Sequence, residues 1–298
     1  MEKVDLKIGF HCNNHCRHCV QGDKREKFGN KSLEKITQEI KMASKVSKEL
    51  VITGGEPTLH KDFLEIVRLA RQSGFELVNL QTNGRMLYYK EFCTEIIKAG
   101  VNSFTVALAG HCDKLHDFIT TSRGSFVQTV EAVRNLKSLG QYVAINSVVS
   151  KLNYRYLPQM ARFFVMLGVD QYQFAFVHPL GNAWCNFYSV VPRMSLIEPY
   201  VKAGLGIGIK AGKHVMAEAI PYCFMEGYEG CVAERFIPDT IVYDADNIIE
   251  DYTILRKTEG KKKRPSCAKC KFFKICEGPW KEYPQVYGWG EFKPVGTG

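Results

Sequence analysis

VDLKIGFHCNNHCRHC, residues 4–19, is the stretch on which the reading of this chain turns. Val4, Leu6, Ile8 and Phe10 recur at every second position, the pattern of a strand with one buried face. The loop that follows places Cys12, Cys16 and Cys19 at gaps of three and two residues, so one compact turn can bring three thiolates to a single metal centre. A four-iron cluster takes four thiolates, and three leave one iron open to a non-protein ligand. A structural zinc on the three cysteines with His11, His15 or His18 is the competing reading. An unliganded trio fits less well, because Asn, His and Arg neighbours do not make a core.

Outward from this loop, strand and helix patterns alternate. Strand-like runs recur at 50–53, 77–82, 104–108, 142–149 and 172–177. Between them apolar residues sit three and four apart, as in Ile36, Ile40 and Ala43 behind a cap at Ser32, Phe63, Leu64, Val67 and Ala70, or Phe126, Val130 and Val133. Gly74, Gly100, Gly140 and Gly168 stop these helices before the next strand, where a positive φ is usual. Six βα units of this kind require an α/β fold with parallel strands covered by helices, either a doubly wound sheet or a full or partial barrel. After about residue 180 the rhythm fails: GNAWCNFYSVVPRMS (181–195) has no clear period and GLGIGIKAG (204–212) reads as a glycine-rich break. The expected division is a barrel domain over 1–200 and a second unit over 201–298.

Composition sets the class. The chain has 298 residues, 45% hydrophobic and 24% charged, the proportions of an ordinary globular protein. It has no basic start followed by an apolar run and no stretch of eighteen apolar residues, so no membrane partner is expected and a cytoplasmic enzyme is. Eleven cysteines, an odd number clustered at ligand spacing, point to reduced thiolates holding metal rather than to disulfides. The formal charge of +9 sits partly in Lys261, Lys262, Lys263 and Arg264, with no accompanying nucleic-acid motif, so nucleic acid is not an expected partner.

Two further motifs carry chemistry. VITGGEP (51–57) ends the second strand with paired glycines and puts the Glu56 carboxylate where an amino group can be bound, although a tight turn alone would read the same way. In the tail, CAKCKFFKIC holds Cys267, Cys270 and Cys276 at gaps of two and five, with Cys223 upstream and Cys231 eight residues after it. Four thiolates are the complement of one further cluster, and a zinc knuckle is the alternative. Cys93, Cys112 and Cys185 have no partners at ligand spacing and read as buried thiols.

The cysteine loop after strand one and GGEP after strand two resemble the radical S-adenosylmethionine (SAM) superfamily. The likeness covers about residues 1–180 and includes Gln81-Thr82-Asn83-Gly84 and His116-Asp117 with Gly124-Ser125-Phe126, as in the branch with peptide-maturing enzymes and the molybdenum-cofactor cyclase. It implies a partial (β/α)6 TIM-like barrel with a small cysteine-rich C-terminal domain. It further implies a [4Fe–4S] cluster on Cys12, Cys16 and Cys19 whose open iron takes the amino and carboxylate groups of SAM. On that pattern Gly54, Gly55 and Glu56 hold the methionyl amino group, and Asn83 and Asn146 lie at strand ends where the family contacts the cofactor, a turn-stabilising asparagine being the alternative for each. His18, at the family's aromatic position, shields the cluster. Strand four departs from the family: Val106-Ala107-Leu108-Ala109-Gly110-His111 offers no polar side chain at 107 or 109.

The tail resembles SPASM and twitch extensions. Trp280 stands where the next cysteine of a two-cluster domain would fall, so one auxiliary [4Fe–4S] cluster on Cys223, Cys267, Cys270 and Cys276 is expected. The implied activity is reductive cleavage of SAM to a 5′-deoxyadenosyl radical that takes hydrogen from a substrate, fed by an electron donor such as a flavodoxin or ferredoxin. No general base is needed to begin it, and none is nominated. A ribosomally made peptide is the favoured substrate, although the first strand begins at once and leaves no room here for a leader-binding domain. A sugar, nucleotide or other small metabolite is the alternative. A non-catalytic iron–sulfur or zinc scaffold, or an electron carrier, is the rival class; GGEP argues against it, since a carrier has no need of a cofactor pocket on the second strand.

Overall fold

In the computed structural model, which describes residues 2–296, the first six strands lie side by side in chain order. They are β1 (Lys3–Lys7), β2 (Glu49–Thr53), β3 (Leu77–Thr82), β4 (Ser103–Ala107), β5 (Val143–Val149) and β6 (Gln171–Phe176). Each pairs in parallel with the next, Val4 standing opposite Leu50 and Leu80 opposite Phe104. Parallel neighbours require a crossover, and a helix supplies each one. In the first, the Ser32 hydroxyl accepts from the Lys35 N–H and the helix Leu33–Ala43 buries Ile36, Ile40 and Ala43. Gly74, Gly100, Gly140 and Gly168 all take positive φ, from +70° to +126°, behind those helices.

The two faces of the sheet differ. Val78, Leu80, Phe104 and Val106 are fully buried on the outer face. Alternate positions carry Asn79, Gln81, Ser103 and Thr105, and Asn79 donates to the Ser103 hydroxyl at 2.7 Å while accepting from Thr105 at 3.3 Å. Strand ends from β2 through to the seventh strand line one cavity, so the sheet curls into a partial barrel with a polar lumen at the C-terminal ends of its strands.

Three strands beyond residue 200 join the same sheet. β7 (His214–Glu218) pairs in parallel with β6; at the other edge β8 (Thr240–Tyr243) pairs in parallel with β1, and β9 (Ile248–Ile249) adds antiparallel to β8. The glycine-rich run expected to break the chain lies mostly inside the helix Met194–Lys210. Its glycines are packing residues. A Cβ at Gly204 would lie 2.6 Å from the Phe174 ring and one at Gly208 2.3 Å from the Tyr172 hydroxyl, which itself donates to the Gly204 carbonyl at 2.6 Å. Glycine spaced by four residues thus lets this helix lie against β6. Residue 200, the expected division, falls within it.

The tail then returns to the β7 edge. Lys261 is 2% exposed and lies between Glu234 and Glu277, the latter at 3.0 Å. Glu277 also takes both arms of Arg256, at 2.8 and 2.9 Å, and Glu234 accepts from the Ala219 amide at 2.8 Å. Every buried charge in this group has an opposite partner, which is the condition for burying it at all. No helix among the described residues is long and apolar enough to cross a membrane.

Asp244, just after β8, binds Lys7 at 2.9 Å and Lys24 at 2.5 Å, joining β8 to the end of β1 and to the segment behind the cysteine loop. Burial alone would raise this carboxyl, but the two ammonium groups outweigh it and hold the pKa at about 2. A carboxylate depressed in the fold adds stability above its ordinary range and loses it as pH falls through the folded value. The urea midpoint should therefore drop between about pH 4 and pH 2. Asp244→Asn should lower the midpoint at pH 7 and narrow its difference from wild type as the acid range is entered; a constant difference across that range would remove the linkage.

Candidate active site

The loop 11–19 is held in place from several sides. His15 and Arg17 donate backbone N–H groups to Thr120 and Ile119 at 2.9 and 3.0 Å, and Asn182 donates to the Cys19 and Cys16 carbonyls at 2.9 and 3.0 Å. Cys12, Cys16 and Cys19 then line a cavity of about 410 Å³ in the barrel mouth. Burial pushes the Cys16 thiol up to about 12, and the neighbouring Cys19 and Cys12 add to the rise. Thiolates at such a site need a positive centre, and binding one releases their protons. Among the described residues no three His, Cys, Asp or Glu side chains are grouped to hold one metal ion.

GGEP is stitched to this loop. The Gly55 amide donates to the Gly9 carbonyl at 2.9 Å and the Glu56 amide to the His11 carbonyl at 2.7 Å. A Cβ at Gly54, whose φ is +139°, would lie 2.1 Å from the Gly9 oxygen, and one at Gly55 2.4 Å from the Phe10 and His11 oxygens. The close approach that requires glycine is thus made by the chain's own backbone, while both glycines also line the cavity. Glu56 stands behind the wall, 3% exposed. Its Oε1 accepts from the Thr58 amide, the Thr58 hydroxyl and the Thr82 hydroxyl at 3.2, 2.6 and 2.7 Å, and its Oε2 from the Asn83 amide at 2.7 Å. Burial still pushes its carboxyl above the usual range.

Asn83 and Asn146 both line the cavity, in different states. The Asn83 amide group donates to Asn13 at 2.7 Å and approaches the Cys12 sulfur at 3.7 Å, whereas Asn146 Oδ1 is buried with no partner. His18, another lining residue, has an unpartnered Nδ1 and is kept neutral by burial, its pKa lowered to about 4. Ala107 and Ala109 line the β4 side, and the backbone N–H of Ala109 donates to His116 at 3.2 Å. Asp117 caps the next helix by accepting from Gly124, Phe126 and Ser125 at 2.6, 2.8 and 2.9 Å. The His-Asp and Gly-Ser-Phe elements are therefore local structure that fixes the β4 end.

Several lining residues were invisible in the sequence. Arg25 reaches His15 at 3.2 Å and lies 3.9 Å from the Cys19 sulfur. At the far side stand Phe176, His178, Glu218, Tyr252 and Trp280. The His178 and Trp280 rings stack at 3.7 Å and 6°, and the Trp280 indole N–H is buried without a partner. Glu218 Oε2 accepts from Gln173, and burial pushes its carboxyl up. These residues come from β6, β7 and the tail, brought together by closure of the barrel, and no spacing rule joins them.

Cys223, Cys267, Cys270 and Cys276 line a second, smaller cavity together. Burial first, then Cys276, Cys267 and Cys270, push the Cys223 thiol up to about 12. Cys231 does not line this cavity. Of the three remaining thiols Cys93 is buried as expected, Cys112 is half-buried and Cys185 is exposed, on a short helix that buries only Ala183.

A parallel partial barrel with three thiols at the end of its first strand, facing a polar lumen, defines the class of protein to which comparison can be made. The family model for the radical SAM superfamily matches residues 6–164, more than half of the chain, and the chain belongs to that superfamily. Among named relatives, a "Probable GTP 3′,8-cyclase" of Saccharolobus solfataricus is 29% identical over 278 residues, covering 86% of this chain and 87% of the relative. An "AdoMet-dependent heme synthase" of Oleidesulfovibrio alaskensis is 28% identical over 174 residues, 58% of this chain and 44% of its own length. The solved structure of native anSMEcpe with bound AdoMet has a TM-score of 0.68 at 17% identity, covering 98% of this chain and 97% of that one. Streptococcus suis SuiB bound to S-adenosylmethionine has a TM-score of 0.68 at 14% identity over 93% of this chain and 72% of that one. At such identities the last two show the fold alone. The chain is a radical SAM enzyme, and its family implies a [4Fe–4S] cluster and SAM.

Glutamine at position 56 must turn an NH₂ group toward either the Asn83 amide or the Thr58 and Thr82 donors. A donor then faces a donor in a buried site, at a cost of about 1–3 kcal/mol. Glu56→Gln should accordingly lower the urea midpoint of the metal-free protein. An unchanged midpoint with weakened SAM binding would mean that the carboxylate serves the ligand and not the fold.

Proposed function

We propose that Cys12, Cys16 and Cys19 hold the SAM-binding cluster, and that the enzyme acts on a small metabolite that is neutral or cationic rather than on a ribosomal peptide or a nucleoside triphosphate. The carrying observation is the character of the cavity. Its lining brings three thiols, the Gly54 and Gly55 backbone, Asn83 and the unpartnered Asn146 oxygen together with Glu218, Tyr252, His178 and Trp280. When bound, the cluster and SAM supply one-electron cleavage of a carbon–sulfur bond and hydrogen abstraction.

The residues of this chain do the rest. Gly54 and Gly55 offer backbone polar groups to the methionyl end, Asn146 offers an acceptor, and Arg25 supplies positive charge beside Cys19. Neutral His18 shields the loop without adding charge. At the substrate end Glu218 accepts from an N–H or O–H and the aromatic walls exclude water, which holds the target carbon in place. The sequence relatives' names favour the small-metabolite reading, whereas the peptide reading rests on the tail's resemblance to SPASM and twitch extensions. Against a triphosphate, Arg25 is the one arginine among the described residues lining the cavity, there is no lysine, and Glu218 repels phosphate. GTP should therefore bind no more tightly than about 1 mM by calorimetry; a cyclised product made from GTP would overturn the substrate class.

Cys223, Cys267, Cys270 and Cys276 hold one auxiliary cluster in this reading, supported by their shared cavity. Four thiolates complete such a cluster, so its role is electron exchange or support rather than substrate ligation. The anaerobically reconstituted chain should carry about eight irons and convert SAM to 5′-deoxyadenosine and methionine under reduction. Cys16→Ala should abolish that cleavage. Cys276→Ser should bring the iron toward four and leave cleavage in place, while Cys231→Ala should keep all the iron; four irons with one tightly held zinc in the wild type would restore the zinc knuckle.

A further inference from the structure

The loop that carries Cys267, Cys270 and Cys276 is also the most basic stretch of the chain. From Lys261 to Cys276 there are seven Lys or Arg residues and no Asp or Glu. Lys261 is buried and paired, which leaves Lys262, Lys263, Lys269, Lys271 and Lys274 exposed and Arg264 half-buried. Glu277, the next acid along, is buried between Arg256 and Lys261 and does not offset them. Folding gathers these charges: the Lys262 amide donates to Pro279 at 3.0 Å and the Lys263 ammonium reaches the Phe273 carbonyl at 2.9 Å. Among them Phe273 and Ile275 are 38% and 53% exposed. Apolar side chains inside a rim of one charge are the anatomy of a recognition surface.

We propose that this face docks an acidic one-electron carrier, a small flavin or iron–sulfur protein with carboxylates around its redox centre. The proposal rests on the reading that the four tail cysteines hold an auxiliary cluster. Two observations favour a carrier over a nucleic acid. Lys263 and Phe273 line the same cavity as Cys223, Cys267, Cys270 and Cys276, so a partner seated on the collar is one side-chain layer from the thiols. The exposed Ile275, more open than Phe273 beside it, suits an apolar patch on a protein, since an aliphatic side chain offers no stacking face to a base. The exchange is one electron, the carrier being oxidised by one as the thiolate-held group is reduced by one, with no bond made and no proton moved. A small, charge-steered contact of this kind is transient and sensitive to salt.

Oxidised flavodoxin is the probe and the reconstituted full chain the target, with binding read by calorimetry. Binding should weaken about tenfold or more between low salt and about 0.5 M salt. The triple variant Lys269→Glu, Lys271→Glu, Lys274→Glu should weaken it about tenfold at low salt, with iron content and dithionite-driven SAM cleavage unchanged. Phe273→Ala, which leaves every charge in place, should weaken it severalfold. Flavodoxin affinity that ignores both salt and the triple variant would overturn the docking surface. So would a single-stranded oligonucleotide that binds the wild type more tightly than flavodoxin and is lost in the triple variant, which would make the collar a nucleic-acid site. Four irons per chain with docking intact would overturn the auxiliary-cluster reading and spare the surface, whereas eight irons with charge-independent binding would do the reverse.

Discussion

Everything at the mouth of this barrel depends on how closely the second loop packs on the first. Gly54 and Gly55 lie against the carbonyls of Gly9, Phe10 and His11 at distances no Cβ could tolerate, and the Gly55 and Glu56 amides close the contact with hydrogen bonds. Glu56 extends the stitch to the third loop, since its carboxylate holds the Thr82 hydroxyl and the Asn83 amide. Three strand ends are thus tied by one four-residue turn. The cysteine loop inherits its position from this turn, and a metal site whose ligands are pre-placed gives up less conformational entropy on loading than one assembled from mobile chain.

The lumen follows from the same geometry. A barrel packed solid with branched aliphatic side chains has no room for a cofactor, and this one breaks that pattern by carrying Asn79, Gln81, Thr105, Asn146, Gln173 and Glu218 at inward positions. Most of these groups satisfy one another. Asn146 Oδ1 does not, and a buried acceptor without a donor is a cost that a bound ligand removes. The stacked His178 and Trp280 and the Gln173-anchored Glu218 add one acceptor and one free indole N–H to the same cavity. The cavity thus mixes sulfur, backbone and amide groups with a carboxylate and aromatic faces.

What was legible in the sequence was whatever is local. The strands from β1 to β6, the Ser32 cap and the four helix-ending glycines depend on period and turn chemistry within a few residues, and they stand where those patterns put them. The cysteines of each loop come to one cavity for the same reason, since spacing within a loop is a local property. The glycine run at 204–212 misled because its meaning lies across the interface, in the Phe174 and Tyr172 side chains that occupy the space a Cβ would take. Cys185 misled because a lone thiol in a sequence says nothing of the short surface helix that exposes it. Glu218, Tyr252 and Trp280 were beyond reach: they join the cavity only once β7 and the tail have closed on the barrel, and sequence separation hides every such meeting.

Trp280 joins these threads. Its ring stacks on His178 and lines the barrel-mouth cavity. Gly278 and Pro279, immediately before it, line the cavity of the four tail cysteines. The backbone bridge between Lys261 and Trp280, with Lys261 buried between Glu234 and Glu277, fixes that segment to the end of β7. The turn from Cys276 to Trp280 therefore has a cysteine on one cavity and an indole on the other. A tail that served only to cover the barrel would need apolar contacts and no more. This one spends a buried ion-pair network on holding a particular register, and the register is what brings the chamber wall and the thiol loop to the two ends of a single turn.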